Sequence, residues 1–333
     1  MNKTAPILFS VVVCTYNRYD LLPKAIDSLL AQDIEPKDCF DIWVMDNSPD
    51  GNDRNLFASR YGNIPRLHYV LLDQPGLSNA RNEGIGRSSG EYVLFIDDDA
   101  EASPSLLSTY KDCFERLGGK VGAIGGKITP LYDVPRPDWL SPHLIAPFSG
   151  ADWSPTECEL PKGKNPFGAN VVFRRTALAG CCGFSTALGR RGAEKDSLLS
   201  GEESALFDCL SEDGWRTFYA PAAEVGHHVS KDRLKREWLR RRLAWQAVSD
   251  QLMQPATPDM IAPMFVSLIQ YMKKVPPEHQ PMMGLFWDTE DPEEFREQIS
   301  AIYILTKLLL AWGKYPDGLQ FVQNGKPPLS PAD

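Results

Sequence analysis

Phe9 to Cys14 reads FSVVVC, a short β-branched run of the kind that forms a strand buried on both faces. It stops at the polar stretch Thr15-Tyr16-Asn17-Arg18. Leu21, Leu22, Ala25, Ile26, Leu29 and Leu30 then recur at three- and four-residue steps, the period of a helix with one apolar face. Phe40 to Met45 predicts a second strand, ending in Asp46-Asn47-Ser48 and broken by Pro49-Asp50-Gly51. Leu67 to Leu72 predicts a third, and Pro75-Gly76 turns the chain into a helix from about Ser78 to Arg87. Tyr92 to Ile96 predicts a fourth, running straight into Asp97-Asp98-Asp99. Strand and helix alternating in this way imply right-handed crossovers and an α/β fold with a doubly wound, mainly parallel central sheet. Ligands of such sheets bind beyond the carboxyl ends of the strands.

Thr15-Tyr16-Asn17, Asp46-Asn47 and Asp97-Asp98-Asp99 all fall at carboxyl ends, so they are expected to face one crevice. Singly, each reads as well as a helix cap or turn former. Together, the acids pose an electrostatic problem, because confined carboxylates repel and drive one another's pKa upward unless a cation is present. A divalent ion removes that penalty, and hard oxygen ligands suit Mg²⁺ or Mn²⁺. Residues two apart on a strand share a face, so Asp97 and Asp99 can converge while Asp98 points to a ribose hydroxyl or a backbone amide. Magnesium-type sites complete their shell with water and substrate phosphates, which suggests a metal-bridged nucleotide diphosphate. No GxxxxGK[ST] loop occurs and no GxGxxG follows the first strand, which weighs against P-loop hydrolysis and a Rossmann dehydrogenase. Gly125-Gly126 comes too late for such a loop and reads as a bend or a close backbone approach.

The second half is patterned differently. GFSTALGRRGAEKDSLLSGEE is rich in glycine and charge and reads as a loop, either closing over a ligand with Arg190 or Arg191 near phosphate or simply solvated. SGEESALFDCL reads as a helix start with Glu202 and Glu203 in its first turn, where the helix dipole favours acids. His227-His228 follows an apparent strand ending at Val225. Lys231 to Val248 predicts a basic helix with Leu234, Trp238, Trp245 and Val248 on one face and Arg240, Arg241 and Arg242 on another. Such a helix either packs on the catalytic domain or docks on an anionic membrane. Proline-rich stretches follow at Gln254 to Pro263 and around Pro276-Pro277 and Pro327-Pro328, with one clear helix at about Glu293 to Trp312.

Composition narrows the picture only a little. The net charge of -9 argues against general nucleic-acid binding. Seven cysteines without a CxxC pair, and no signal segment at the N-terminus, predict reduced thiols in a cytoplasmic protein, with Cys181-Cys182 as packing residues. No apolar run reaches the ~18 residues that span a bilayer.

VVVCTYNR, VMDNS, PGLSNARNEG, GEYVLFIDDDA, GANVVFRR and SGEESALFDCL stand in the order seen in family 2 glycosyltransferases of the GT-A fold, which the chain resembles over about residues 9 to 245. The resemblance implies a catalytic domain over 1–228, with a nucleotide half over 1–100 and an acceptor half over 101–228, and a helical extension over 229–333. It implies inverting transfer of a sugar from a nucleotide-diphosphate donor, usually a UDP-sugar, to a hydroxyl of a glycan or lipid-linked acceptor. Thr15, Tyr16 and Asn17 would border the nucleotide, Asp46 would hold the edge of its base, and Arg81 and Asn82 would lie near it or brace the acidic loop. Asp97 and Asp99 would be the outer acids of the DxD motif, Asp99 the direct ligand of Mn²⁺ or Mg²⁺, with Asp98 on the nucleotide. His227, or else His228, would approach the metal or diphosphate. Gly168, Ala169, Asn170 and Glu202 would line the sugar or acceptor pocket, with Arg190 and Arg191 beside it. The family usually has Glu-Asp where this chain has Glu202-Glu203, which puts Glu203 at the position of the base with one methylene of extra reach. That departure leaves room for a non-catalytic nucleotide-sugar-binding or assembly subunit. The extension is expected to pack, to form a homo-oligomer or to select the acceptor, with peripheral membrane contact through 231–248.

Overall fold

The computed structural model describes residues 7–37, 39–49, 54–189, 198–280 and 283–312. The four predicted strands form as β1 (Phe9–Thr15), β2 (Phe40–Asp46), β3 (Leu67–Leu71) and β4 (Tyr92–Asp97). They are separated by helices α1 (Leu22–Leu30), α2 (Arg54–Tyr61) and α3 (Leu77–Arg87). There follow β5 (Ala100–Ala102), α4 (Leu106–Leu117), β6 (Val121–Tyr132), β7 (Cys158–Glu159), β8 (Asn170–Arg174), α5 (Arg175–Leu178), α6 (Glu202–Glu212) and β9 (Arg216–Val229). The sheet runs β3-β2-β1-β4-β8-β6-β9-β5, with β7 paired to β9. Its first four strands are parallel, whereas β8 joins β4 antiparallel and β6 joins β8 antiparallel. The parallel character expected from the sequence thus holds for the nucleotide half and gives way to antiparallel pairing beyond β4.

Burial on both faces explains the unbroken apolar runs. Val11, Val13, Ile42, Val44, Leu94 and Ile96 pack toward α1, where Leu22, Ala25, Ile26 and Leu29 are buried. Val12, Met45, Val93 and Phe95 pack on the other face with Ala80 of α3 and Leu206 and Leu210 of α6. Each buried leucine or isoleucine contributes about 1.5–3 kcal/mol. Gly84 lets α3 approach β1 closely: a Cβ there would lie 2.5 Å from Val12 Cγ1. Gly126 marks the close backbone approach suggested by the sequence, since its Cβ would fall 2.0 Å from the Ala223 carbonyl oxygen. The register sets Thr15 level with Asp46 and Cys14 level with Asp97, so three carboxyl ends finish side by side.

Two further features of this unit depart from the sequence reading. β9 continues past Val225 to Val229, so His227 lies inside a strand, opposite Ala100 of β5. Cys181 is joined to Cys209 in a disulfide, not free as expected, and ties the segment after α5 to α6.

The chain divides into two compact units, the sheet unit and a second comprising Tyr132–Pro147, residues 198–201 and the described chain from Val229. In the second unit the basic helix begins later than predicted: Lys231–Leu234 is a 3-10 turn and α7 spans Arg236–Met253. Arg240 is not on a solvated basic face, because it is buried and donates to Gln298 Oε1, the Trp287 carbonyl and Asp288. Helix α8 (Pro258–Lys274) begins inside the proline-rich stretch 254–263, where the sequence pattern predicts no helix. Pro258 falls in its first turn, where a missing N–H costs nothing, and Pro263 is accommodated inside it. Helix α9 (Pro292–Ala311) matches the predicted C-terminal helix and is capped by Asp291, which accepts from the amides of Glu293 and Glu294. Among the described residues no helix is long and apolar enough to cross a membrane.

Candidate active site

The acids after β4 separate as strand periodicity requires. Asp97 and Asp99 converge with His227, whose Nε2 lies 3.8 Å from Asp97 Oδ2 and 3.1 Å from Asp99 Oδ1. Candidate ligand atoms of these three residues all lie within 4.8 Å of one another. Two carboxylates and one imidazole make a compact donor set that could hold a divalent metal ion. His228 turns away: its ring faces Glu101 and its backbone N–H donates to the Asp99 carbonyl. Of the two histidines, His227 is the one beside the acids.

Asp98 points elsewhere and accepts a hydrogen bond from Thr15 Oγ1 at 2.7 Å. Burial, reinforced by the neighbouring charge of Asp99, pushes the Asp98 carboxyl up to about 7 against the pull of Arg18 and Thr15. Arg18 meets the cluster from the turn after β1, with Nη1 2.6 Å from Asp99 Oδ2 and 3.8 Å from Asp98 Oδ1. Thus Asp99 presents one oxygen to His227 and the other to Arg18. The sequence reading passed over Arg18, although it ends the quoted CTYNR run.

At the ends of β1 and β2, Asp46 is fully buried. Its Oδ1 accepts from the Ser48 amide at 2.9 Å, and its Oδ2 accepts from the hydroxyls of Tyr19 and Tyr69. Arg54 lies 3.8 Å from the same oxygen. Asn17 takes a left-handed conformation (φ 54°) that lets its amide donate to Ser48 Oγ, while Tyr16 is half-buried beside it. Tyr19, Ser48, Arg54 and Tyr69 were not singled out from the sequence. Tyr69 reaches Asp46 only because β3 pairs with β2.

The third group joins the two halves of the sheet unit. Arg81, on α3, is 3 % exposed. Its Nη1 lies 2.8 Å from Glu202 Oε1 and 3.1 Å from Glu203 Oε1, and its Nη2 lies 3.8 Å from Asp97 Oδ1. Burial opposes the charge on Arg81, but Glu203, Glu202 and Asp97 outweigh it and raise the guanidinium pKa. Glu202 is buried, whereas Glu203 is the more open of the pair, with its side chain 19 % exposed. Asn82 clamps the backbone of Phe184 by donating to its carbonyl and accepting from its amide. Gly168 donates its amide to Glu203 Oε1 at 3.2 Å. Ala169 and Asn170 are buried, and Asn170 spends its amide on Tyr110 and on the carbonyls of Lys127 and Ala223. Asn170 therefore braces β8 and does not offer its side chain to a sugar as expected. Arg190 and Arg191 lie outside the described residues.

Carboxylates and an imidazole gather at the carboxyl ends of a half-parallel sheet and face a second acid pair across a buried arginine, an arrangement in keeping with the resemblance to GT-A glycosyltransferases. The comparisons agree. Residues 10–193 match the family described as Glycosyl transferase family 2, and the chain belongs to that family. The glucosyl-dolichyl phosphate glucuronosyltransferase of Haloferax volcanii is 29 % identical over 247 residues, covering 73 % of this chain and 76 % of that protein. Succinoglycan biosynthesis protein ExoM of Rhizobium meliloti is 26 % identical over 72 % of each chain. The crystal structure of S. aureus TarS 1-349 in complex with UDP-GlcNAc superposes with a TM-score of 0.51 at 17 % identity, covering 93 % of both chains, a likeness of fold.

Proposed function

We propose that the chain is a metal-dependent, inverting glycosyltransferase that moves a sugar from a UDP-sugar to an acceptor hydroxyl during synthesis of a cell-surface or secreted glycan. The observation that carries this reading is the convergence of Asp97, Asp99 and His227 at the strand ends, with Glu203 held across Arg81 from the same acids. Thr15, Tyr16, Asn17, Asp46 and Asp98 surround the place of the nucleotide at the ends of β1, β2 and β4. Asp97, Asp99 and His227 would hold Mn²⁺ or Mg²⁺, which supplies positive charge to the departing diphosphate. Glu203 is the base that takes the proton of the attacking hydroxyl. Its greater exposure than Glu202 favours that assignment. Gly168 presents its backbone amide to the same carboxylate and so keeps it aimed.

The acceptor is a glycan or a lipid-linked sugar. Supporting that class, one relative is a glucuronosyltransferase named for glucosyl-dolichyl phosphate, and a Campylobacter jejuni relative is named for an undecaprenol-linked glycan. Action on such an acceptor places the enzyme at the inner face of the membrane, in peripheral contact through 231–248. With Arg240 buried, the exposed Lys231, Lys235 and Arg241 supply the basic charge there.

The test is release of UDP from a panel of UDP-sugars with Mn²⁺, with EDTA, and with Glu203→Gln. The expected result is loss of release in EDTA and a fall of about 10²–10⁴-fold in Glu203→Gln, with UDP affinity retained. Full activity in EDTA or in Glu203→Gln contradicts the reading.

A further inference from the structure

Arg81 has an unusual setting for a residue expected near the nucleotide. Its polar contacts are all to carboxylates of the protein, Glu202, Glu203 and Asp97, and its guanidinium lies 5.1 Å from the ring centre of Phe184 and 6.0 Å from that of Phe95. At 3 % exposure it has little surface to offer a ligand. Gly168 is shaped around it: a Cβ there would sit 2.0 Å from Arg81 Nη2 and 2.7 Å from Glu203 Oε1. Glu203 Oε1 is thereby held from two directions, by the arginine and by the Gly168 amide. The rigid guanidinium fork reaches Asp97 through its other nitrogen.

We propose that Arg81 is a positioning residue and not a nucleotide ligand: it fixes Glu203 Oε1, leaves Oε2 for the acceptor proton, and locks the base to the Asp97 side of the site. This rests on the reading of Glu203 as base. A displacement of about 1 Å in such a group costs on the order of 10²-fold in rate, so the effect belongs in kcat.

The experiment uses the full chain with Mn²⁺ and the UDP-sugar that the wild type turns over, and compares Arg81→Met, Arg81→Lys and Gly168→Ala. Expected are a kcat about 10²-fold lower in Arg81→Met, a partial return in Arg81→Lys, and a loss of about tenfold in Gly168→Ala, all with the Kd for UDP within about twofold. A tenfold or greater rise in that Kd with kcat preserved overturns the proposal and makes Arg81 a nucleotide ligand. Should Arg81→Met fail to fold, Arg81→Lys and Gly168→Ala still separate kcat from Kd. A wild type that releases UDP from no UDP-sugar sinks the donor reading instead. The pairing is then read from thermal melts of Arg81→Lys, Glu203→Gln and the double variant, where additive losses overturn it and non-additive losses support it.

Discussion

At the end of β4, Asp97, Asp98 and Asp99 follow one another; at the start of α6, Glu202 and Glu203 do. Both regions must hold adjacent carboxylates in a partly dry cleft. The strand end separates its acids by alternation, so Asp98 turns to Thr15 while Asp97 and Asp99 meet at His227. The helix cannot separate its pair in this way, because successive residues differ by only about 100° around the axis. Glu202 and Glu203 therefore share Arg81 and the dipole of the helix they begin. The consequence is a difference in kind. On the helix side the balancing groups belong to the protein itself. The strand triplet meets Arg18 at Asp98 and Asp99 and the far nitrogen of Arg81 at Asp97, yet burial and the charge of Asp99 still raise the Asp98 pKa, which fits the proposed cation site.

That contrast can be broken at either end. The largest stability effect belongs to the helix side, which is tethered through Cys209 to Cys181 across 28 residues of sequence. Reduction, or Cys181→Ser with Cys209→Ser, is expected to lower stability by about 3–4 kcal/mol on chain-entropy grounds. A urea titration checks this, and an unchanged midpoint contradicts it. A smaller effect is expected at the strand end. The folded pKa of Asp98 is raised to about 7 from an ordinary value of 3.8. Its contribution to stability is therefore complete below about pH 4 and is lost as pH rises through about 7. Thermal melts of EDTA-treated protein should fall in Tm between pH 5 and 8, and Asp98→Asn should flatten that fall. A wild-type slope equal to that of Asp98→Asn would show that Asp98 is not the group responsible.

The same contrast explains what could be read from the sequence. Period-two alternation is local, so the split of Asp98 from Asp97 and Asp99 was legible in the triplet itself. The parallel half was equally legible, because β1, β2 and β4 are buried almost throughout and advertise themselves as apolar runs, while the half-buried edge strand β3 still carries an apolar-rich segment. Tyr69 beside Asp46, Arg18 beside Asp99 and Cys181 beside Cys209 were not, since each meeting depends on strand order or on the return of a distant helix. Arg240 shows the same limit on a helix. A run of three arginines reads as a solvated basic face until Gln298 and the Trp287 carbonyl arrive to bury one of them. The prolines of α8 hide the helix for a different reason: the first turn tolerates Pro258, and α8 continues past Pro263 in its interior all the same.

The central claim is that Asp97, Asp99 and His227 bind a divalent cation jointly with a nucleotide diphosphate. Equilibrium binding of Mn²⁺, followed by electron paramagnetic resonance with and without UDP, measures it directly. The account predicts Mn²⁺ binding that tightens when UDP is added and is lost, in both conditions, in Asp99→Asn. Equal Mn²⁺ binding by wild type and Asp99→Asn, or no response of Mn²⁺ to UDP, would contradict it.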